Sequence, residues 1–363
     1  MKRHETYRKI ILIAILIVIT AFYIYQEKIS LNIEVQITRN FIIQSNFDFI
    51  YEHWKEEKLF RLRENEDYKD ITAKDQFDYF LKLCDWTHNQ WEYSIPDPYP
   101  LSNAIDILAD IRSKKTGGFC GQYSYVLADV LKSLGFFAVR YVEVWCNTGK
   151  SHFAIEVWCD QYEKWILLDP DKNIFYELVD LGIPANAYEI RNSLFTEKKV
   201  IAKTADGHRR KLDNINNGLF ANFAVSLRSD LLRHTRPLTI HDRFHMFIFF
   251  KDHYTNEKVF KGKIPYTHIT TRLYDLYYDC NRTRIEYNIN NKDKSIALEF
   301  FTDQSMANFN GFQISLDRGK NWEISSSHYF KKGDCEKFEL WVRSVNTFGR
   351  HGCITKAQIF FLY

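Results

Sequence analysis

Cys120, His152 and Asp169, separated by 32 and 17 positions, are the side-chain types that acyl transfer through a thiol requires. The cysteine supplies a nucleophile, the imidazole takes and returns its proton, and the carboxylate orients the imidazole and steadies its cationic form. Each sits in a distinctive segment: Gly117-Gly118-Phe119-Cys120, His152-Phe153-Ala154-Ile155-Glu156-Val157, and Trp165-Ile166-Leu167-Leu168-Asp169-Pro170. Taken singly, such a cysteine is more often a small buried hydrophobe, such a histidine a satisfied residue at a strand end, and an Asp-Pro pair an ordinary turn. Their joint occurrence in this order points to chemistry.

The flanking sequence predicts the elements that position them. Tyr123, Val126, Leu127, Val130, Leu131 and Leu134 recur at the helical period, which predicts an amphipathic helix over 120–134, closed by Gly135. Cys120 then opens that helix, where unpaired N–H groups and the positive end of the macrodipole favour a thiolate. Residues 137–145, 152–158 and 164–168 read as three strands of an antiparallel meander, joined by turns at 147–150 and 160–163. His152 opens the second strand and Asp169 closes the third, so both lie at the same end of the sheet.

Gly118-Phe119-Cys120 at a helix start, the strand from His152 to Val157 and the strand end from Trp165 to Pro170 together resemble the transglutaminase-like superfamily of papain-like thiol enzymes, over roughly residues 70–175. The resemblance implies a helix bearing Cys packed on an antiparallel sheet bearing His and Asp. It implies Cys120 as nucleophile, His152 as general base and acid, and Asp169 as the orienting carboxylate. It further implies a side-chain oxyanion donor from an upstream helix, and the candidates are Gln90, Trp86 and Trp91. Phe77, Phe80, Leu81, Cys84 and Trp91 fall on one helical face behind a Thr72 to Asp75 cap, which makes Trp91 core and puts Gln90 and Trp86 ahead of it. Ala154 departs from the family, many of whose members carry tryptophan there, and is expected to alter the wall of the cleft. No cofactor is implied, and neither Cys-x-x-Cys nor His-Glu-x-x-His occurs to hold a metal.

Outside the core, Lys2, Arg3, Arg8 and Lys9 form a basic tail at 1–9 before an apolar run from Ile10 to Tyr25, within the segment 10–26. As a helix, sixteen such residues rise about 24 Å, enough to span with snorkelling flanks. With no small-x-small cleavage site, the run predicts a transmembrane signal anchor, the N-terminus cytoplasmic and the bulk of the protein extracytoplasmic. Residues 27–69 read as a linker or N-terminal segment, and 70–175 as the catalytic core. Residues 176–282 are a core extension or intermediate region of no clear class. Short alternating segments over 283–363 read as an immunoglobulin-like β-sandwich, serving either as a binding module or as a spacer. The expected fold class is therefore α+β, with a C-terminal all-β sandwich and one preceding transmembrane helix.

At 363 residues and 45% hydrophobic content, the protein is large enough for two cores. A net charge of +3 without a long basic cluster argues against nucleic-acid binding. Of seven cysteines, the pairs Cys146/Cys159 and Cys335/Cys353 sit out of register across their turns, beyond the roughly 7 Å reach of a disulfide, so mostly free thiols are expected. The composite expectation is a membrane-anchored thiol enzyme acting on amide bonds of a peptide or protein, with a cell-envelope molecule as the natural substrate class. Hydrolysis is preferred over transamidation because water needs no second binding site. The alternative is a noncatalytic binding or assembly protein built on the same scaffold. The sequence carries no signal for an oligomeric state.

Overall fold

The computed structural model describes residues 32–205, 209–210, 218–234, 236, 238–255, 266–302, 306–333 and 336–362. The described residues open with strand β1 (Asn32–Ile37) and continue through helices α1 (Glu57–Asn65), α2 (Gln76–His88), α3 (Ala104–Arg112) and α4 (Cys120–Ser133). Strands β2 (Val139–Trp145), β3 (Ser151–Cys159), β4 (Lys164–Asp169) and β5 (Ile174–Leu178) then form an antiparallel run. Next come β6 (Ile183–Pro184), α5 (Ala187–Ser193), β7 (Val200–Thr204), β8 (Arg209–Arg210), β9 (Asn222–Ser226), α6 (Ile240–Met246), β10 (Phe247–Phe250) and β11 (His268–Thr270). Strands β2 to β11 join one ten-stranded sheet in the order β11-β10-β9-β2-β3-β4-β5-β7-β8, with β6 beside β5. Strands β6 to β11 thus widen the sheet on both sides of the strands that carry the histidine and aspartate.

Helix α4 lies across this sheet, with α1, α2 and α3 packed around it. Its apolar stripe, Val126, Leu127, Val130 and Leu131, has no exposed surface, and burial of each of these residues is worth about 1.5–3 kcal/mol. The polar face expected of an amphipathic helix is buried as well, because helices cover the side facing away from the sheet. Ser124 donates to the Phe153 carbonyl at 3.1 Å, Tyr68 and Ser133 share a 2.6 Å hydrogen bond, and Lys132 pairs with Asp129 at 2.8 Å with both side chains fully buried. Lys132 also donates to the Ser229 carbonyl at 2.6 Å, and Asp129 accepts the Ala104 amide at 2.9 Å.

A second buried pair staples the sheet. Arg140 on β2 faces Glu156 on β3 in register, with Nη2 2.6 Å from Oε2 and both side chains essentially unexposed. Arg140 also donates to the Leu276 carbonyl, and Glu156 accepts from the Ala187 amide (2.7 Å) and the Tyr277 hydroxyl (3.0 Å). The rings of Trp165 and Tyr277 flank the guanidinium, at 4.0 and 5.0 Å to their centroids.

The C-terminal unit is a β-sandwich. Its strands are β12 (Arg284–Asn290), β13 (Ser295–Phe301), β14 (Phe309–Ser315), β15 (Glu323–Ile324), β16 (Ser327–Lys331), β17 (Lys337–Asn346) and β18 (Thr355–Leu362). A five-stranded sheet β1-β18-β17-β14-β15 faces a three-stranded sheet β12-β13-β16 across a core that includes Ile296, Leu298, Ile314, Leu340 and Ile359. Within the stretch read as a linker or N-terminal segment, the described residues 32–69 are structured: β1 is an edge strand of the sandwich, and α1 packs on α4.

The transmembrane signal anchor at 10–26, and with it the membrane-anchored localisation, is corrected here. No helix among the described residues is long and apolar enough to cross a membrane, and residues 10–26 lie outside the described residues. The longest described helix, α4, has 14 residues, a rise of about 21 Å against a roughly 30 Å hydrocarbon core, and it is enclosed by its own fold. Six cysteines, at 84, 120, 146, 159, 280 and 353, are free thiols, and Cys335 lies outside the described residues.

The buried Lys132–Asp129 pair makes a stability prediction. Asp129→Ala strands an ammonium inside the core and is expected to destabilise the protein by about 3–5 kcal/mol, read from the urea midpoint. Asp129→Asn combined with Lys132→Met removes both charges while keeping an acceptor for Ala104, and is expected to recover most of that loss. Equal losses in the two variants would show that the charge pair is not the source.

Candidate active site

Cys120 is the first residue of α4, with Phe119 in extended backbone as its N-cap. The approach to the helix needs glycine. A Cβ at Gly118 would fall 2.5 Å from Trp91 Nε1 and 2.7 Å from Ile111, and one at Gly117 would collide with Ser94. Ser94 pins the same turn, its amide donating to the Gly118 carbonyl at 2.8 Å. The thiol is thereby held at the helix head and is partly exposed, whereas the other five described cysteines are buried.

His152 enters near the start of β3 and Asp169 ends β4. Their strands pair antiparallel with Ile155 opposite Leu168, which puts the two side chains at one end of the sheet. His152 Nε2 lies 2.8 Å from Asp169 Oδ2, and the imidazole also hydrogen-bonds Cys120, so Nδ1 is the ring nitrogen left to face the thiol. Asp169 is almost fully buried and its Oδ1 accepts the Lys172 amide at 3.2 Å. Burial by itself would lower the His152 pKa, but the Asp169 charge and hydrogen bond, joined by Cys120, outweigh it and push it up to about 10. The site therefore favours an imidazolium through the neutral range.

Cys120 and His152 border a cleft of ≈ 450 Å³, with Asp169 buried behind the imidazole. Tyr93, Tyr99 and Phe119 supply aromatic walls, Lys150 and Lys172 stand at its lip, and Glu143 on β2 lies within it, taking a hydrogen bond from Tyr266 at 3.3 Å. Sequence reasoning did not place Tyr93, Tyr99, Glu143, Lys150 or Lys172 in the site. Glu143 had a readable signal, as a carboxylate between Val142 and Val144 in a buried strand, while Tyr93 and Tyr99 lie in a loop without periodicity. Asp171 was also missed. Its Oδ2 is 3.9 Å from His152 Nδ1 and 2.9 Å from Lys172 Nζ, while its Oδ1 is buried without a partner among the described residues. His152, Asp169 and Asp171 bring three ligand atoms within 4.8 Å, a spacing a metal ion could use, but the direct His152–Asp169 bond already engages two of them.

The three oxyanion candidates fare differently. Gln90 is committed, its Oε1 accepting from Arg112 at 2.5 Å and its Nε2 donating to the Trp86 carbonyl at 3.0 Å. Trp86 donates to Asp67 at 2.7 Å. Trp91, ranked last from the sequence, lies beyond the end of α2 at His88, stacks on Tyr123 at 4.2 Å, and holds its Nε1 against Gly118 with no hydrogen-bond partner among the described residues. Ala154, expected in the cleft wall, does not border the cleft and is buried in the cluster of Val142, Val144 and Leu167.

A thiol at a helix head faces an imidazole that is itself held by a buried carboxylate, an arrangement chemically suited to thiol acyl transfer. Residues 68–170 match the family model of the transglutaminase-like superfamily, and this segment is a transglutaminase-like domain containing α2 to α4 and β2 to β4. Neither the comparison with curated proteins nor that with solved structures returned a match.

The raised histidine carries a pH prediction. A group whose pKa rises on folding adds stability that is fully present below its unfolded value, about 6.5, and is lost as pH rises through its folded value. The His152–Asp169 interaction should therefore stabilise the fold below about 6.5 and fade as pH rises through about 10. NMR titration of the imidazole ring should place His152 near that upper value, and Asp169→Asn should move it down toward 6.5. A wild-type midpoint at 6.5 would overturn this electrostatic reading.

Proposed function

We propose that this protein is a thiol enzyme that cleaves amide bonds of a peptide or protein through a thioester on Cys120, with water as the second acceptor. The observation that carries the reading is the Cys120–His152–Asp169 series of contacts at the head of α4, opening on a cleft. Cys120 Sγ attacks the amide carbonyl carbon, and the oxyanion is received by the Cys120 backbone N–H and by Trp91 Nε1. The C–N bond then breaks, and the departing amine nitrogen takes the proton from His152 Nδ1. A water molecule next gives its proton to Nδ1 and its oxygen to the thioester carbon. Collapse of that intermediate releases a carboxylic acid, and the proton returns to the thiol–imidazole pair. Asp169 keeps Nε2 engaged throughout, so that Nδ1 does the proton transfer. Water is preferred to an amine because it needs no acceptor subsite of its own.

Iodoacetamide labelling mapped by mass spectrometry tests the nucleophile. Cys120 should be alkylated selectively in the folded protein, and at pH 6 the rate should drop on the order of a hundredfold in His152→Ala, since an unpaired thiol with a pKa of about 8.5 is almost wholly protonated there. Labelling that ignores His152 would instead favour a noncatalytic scaffold.

Trp91→Phe separates the oxyanion donor from the nucleophile, because it keeps an aromatic ring beside Tyr123 while removing the indole N–H. Acylation by p-nitrophenyl acetate, followed as the burst of nitrophenolate, should slow by about 10²–10³-fold, while iodoacetamide alkylation, which forms no oxyanion, stays unchanged. If both reactions slow equally, Trp91 only supports the packing of the site.

A further inference from the structure

A second cleft, of ≈ 690 Å³, lies where the catalytic domain meets the sandwich. It is formed by the start of α2 (Gln76, Tyr79), the turn between β3 and β4 (Asp160, Gln161) and the segment between β17 and β18 that carries Arg350 and His351. The Arg350 guanidinium stacks on Phe136 with 4.3 Å to the ring centroid, donates from Nε to the Leu134 carbonyl at 2.9 Å, and hydrogen-bonds the Tyr79 hydroxyl. No carboxylate pairs with it among the described residues. Burial accordingly pushes its pKa down, and its charge together with that of Arg343 adds to the burial that lowers the His351 pKa.

A half-buried guanidinium without an anion loses hydration and gains only neutral acceptors in return. The acids nearby are already committed. Asp75 caps α2 through the Asp78 amide at 2.9 Å, and Asp160 receives Gln76, Trp158 and Asn281 at 3.0 to 3.1 Å. The rest of the wall contributes apolar surface from Ile71, Tyr79 and Phe136. We propose that this cleft binds a carboxylate borne on an apolar body, held by Arg350 and Tyr79 with its hydrocarbon against Ile71 and Phe136. One guanidinium fork beside one phenol suits the planar, singly charged carboxylate, whereas a phosphate dianion calls for more donors. The site is separate from the thiol. Helix α2 caps at this cleft with Asp75, and thirteen residues further, about 20 Å, its His88 contacts the Pro170 carbonyl beside Asp169.

Calorimetric titration of the full-length protein with benzoate and with the tripeptide Ala-Ala-Phe, each paired with its neutral amide, tests the proposal. One or both acids should bind while the matching amide does not. A response to benzoate alone identifies a small organic acid, and a response to the tripeptide identifies the C-terminal carboxylate of a peptide. Arg350→Lys should weaken binding at least tenfold. Because Arg350 also holds the Leu134 carbonyl, Ala73→Trp, which fills the cleft from its exposed rim and leaves the guanidinium in place, serves as the second variant. It should abolish binding while Cys120 alkylation proceeds at the wild-type rate. Binding of neither acid, equal binding of acid and amide, or binding that survives Ala73→Trp would overturn the proposal.

Discussion

The buried pairing of Arg140 with Glu156 sets the register on which the rest of the molecule depends. Both charges lie inside the sheet, and the loss of either partner would leave the other uncompensated in a low-dielectric interior. Burial opposes the Arg140 charge, but Glu156 restores it and raises its pKa overall. Since successive side chains alternate between faces, a slip of one residue between β2 and β3 would separate the pair and exchange the side chains of β3 between the two buried faces of the sheet. His152 stands four residues before Glu156 on that strand, so the register that joins the ions also places the imidazole. Through the Ala187 amide, the Tyr277 hydroxyl and the Leu276 carbonyl, the pair also fastens α5 and the segment leading into the sandwich to the central strands.

The two units of the protein meet around the C-terminal end of the helix that bears the thiol. Asn346 donates to the Gly135 carbonyl at 2.8 Å, Arg350 takes the Leu134 carbonyl, and Phe348 packs on Phe60 and Phe137. Gly135 has φ +90°, and a Cβ there would also strike Phe348, so the tight end of α4 and the docking of the sandwich make one demand on one residue. Nearby, Asp160 gathers donors from α2, β3 and the inter-unit segment, and burial pushes its carboxyl up to about 6 despite them. The sandwich is thus part of the support of α4, the element that fixes Cys120.

Much of the catalytic half was legible from local pattern. The helix predicted over 120–134 is observed at Cys120–Ser133, and the three strands appear within two residues of their expected limits, because period and turn residues are short-range signals. Elsewhere the pattern misled. The polar residues of α4 read as a solvated face, yet Asp129, Lys132 and Ser133 are enclosed, since the partners that satisfy them come from Ala104, Ser229 and Tyr68, distant in sequence. Residues 32–37 read as part of a linker because their partner, β18, lies more than three hundred positions away. Trp91 read as core by spacing, although α2 stops before it and its indole N–H turns to Gly118.

What the sequence by itself determined is the set of candidate reacting groups and their local elements: a thiol at a glycine-led helix start, an imidazole opening a strand and a carboxylate closing the next. These follow from residue type, backbone propensity and periodicity, which act over a few residues. The tertiary structure decided which ring nitrogen faces the thiol, that Trp91 rather than Gln90 or Trp86 keeps a free N–H beside the turn before Cys120, and that a guanidinium lies without a carboxylate between the two units. Those outcomes depend on hydrogen bonds and burial between segments far apart in the sequence, and such contacts leave no period there to read.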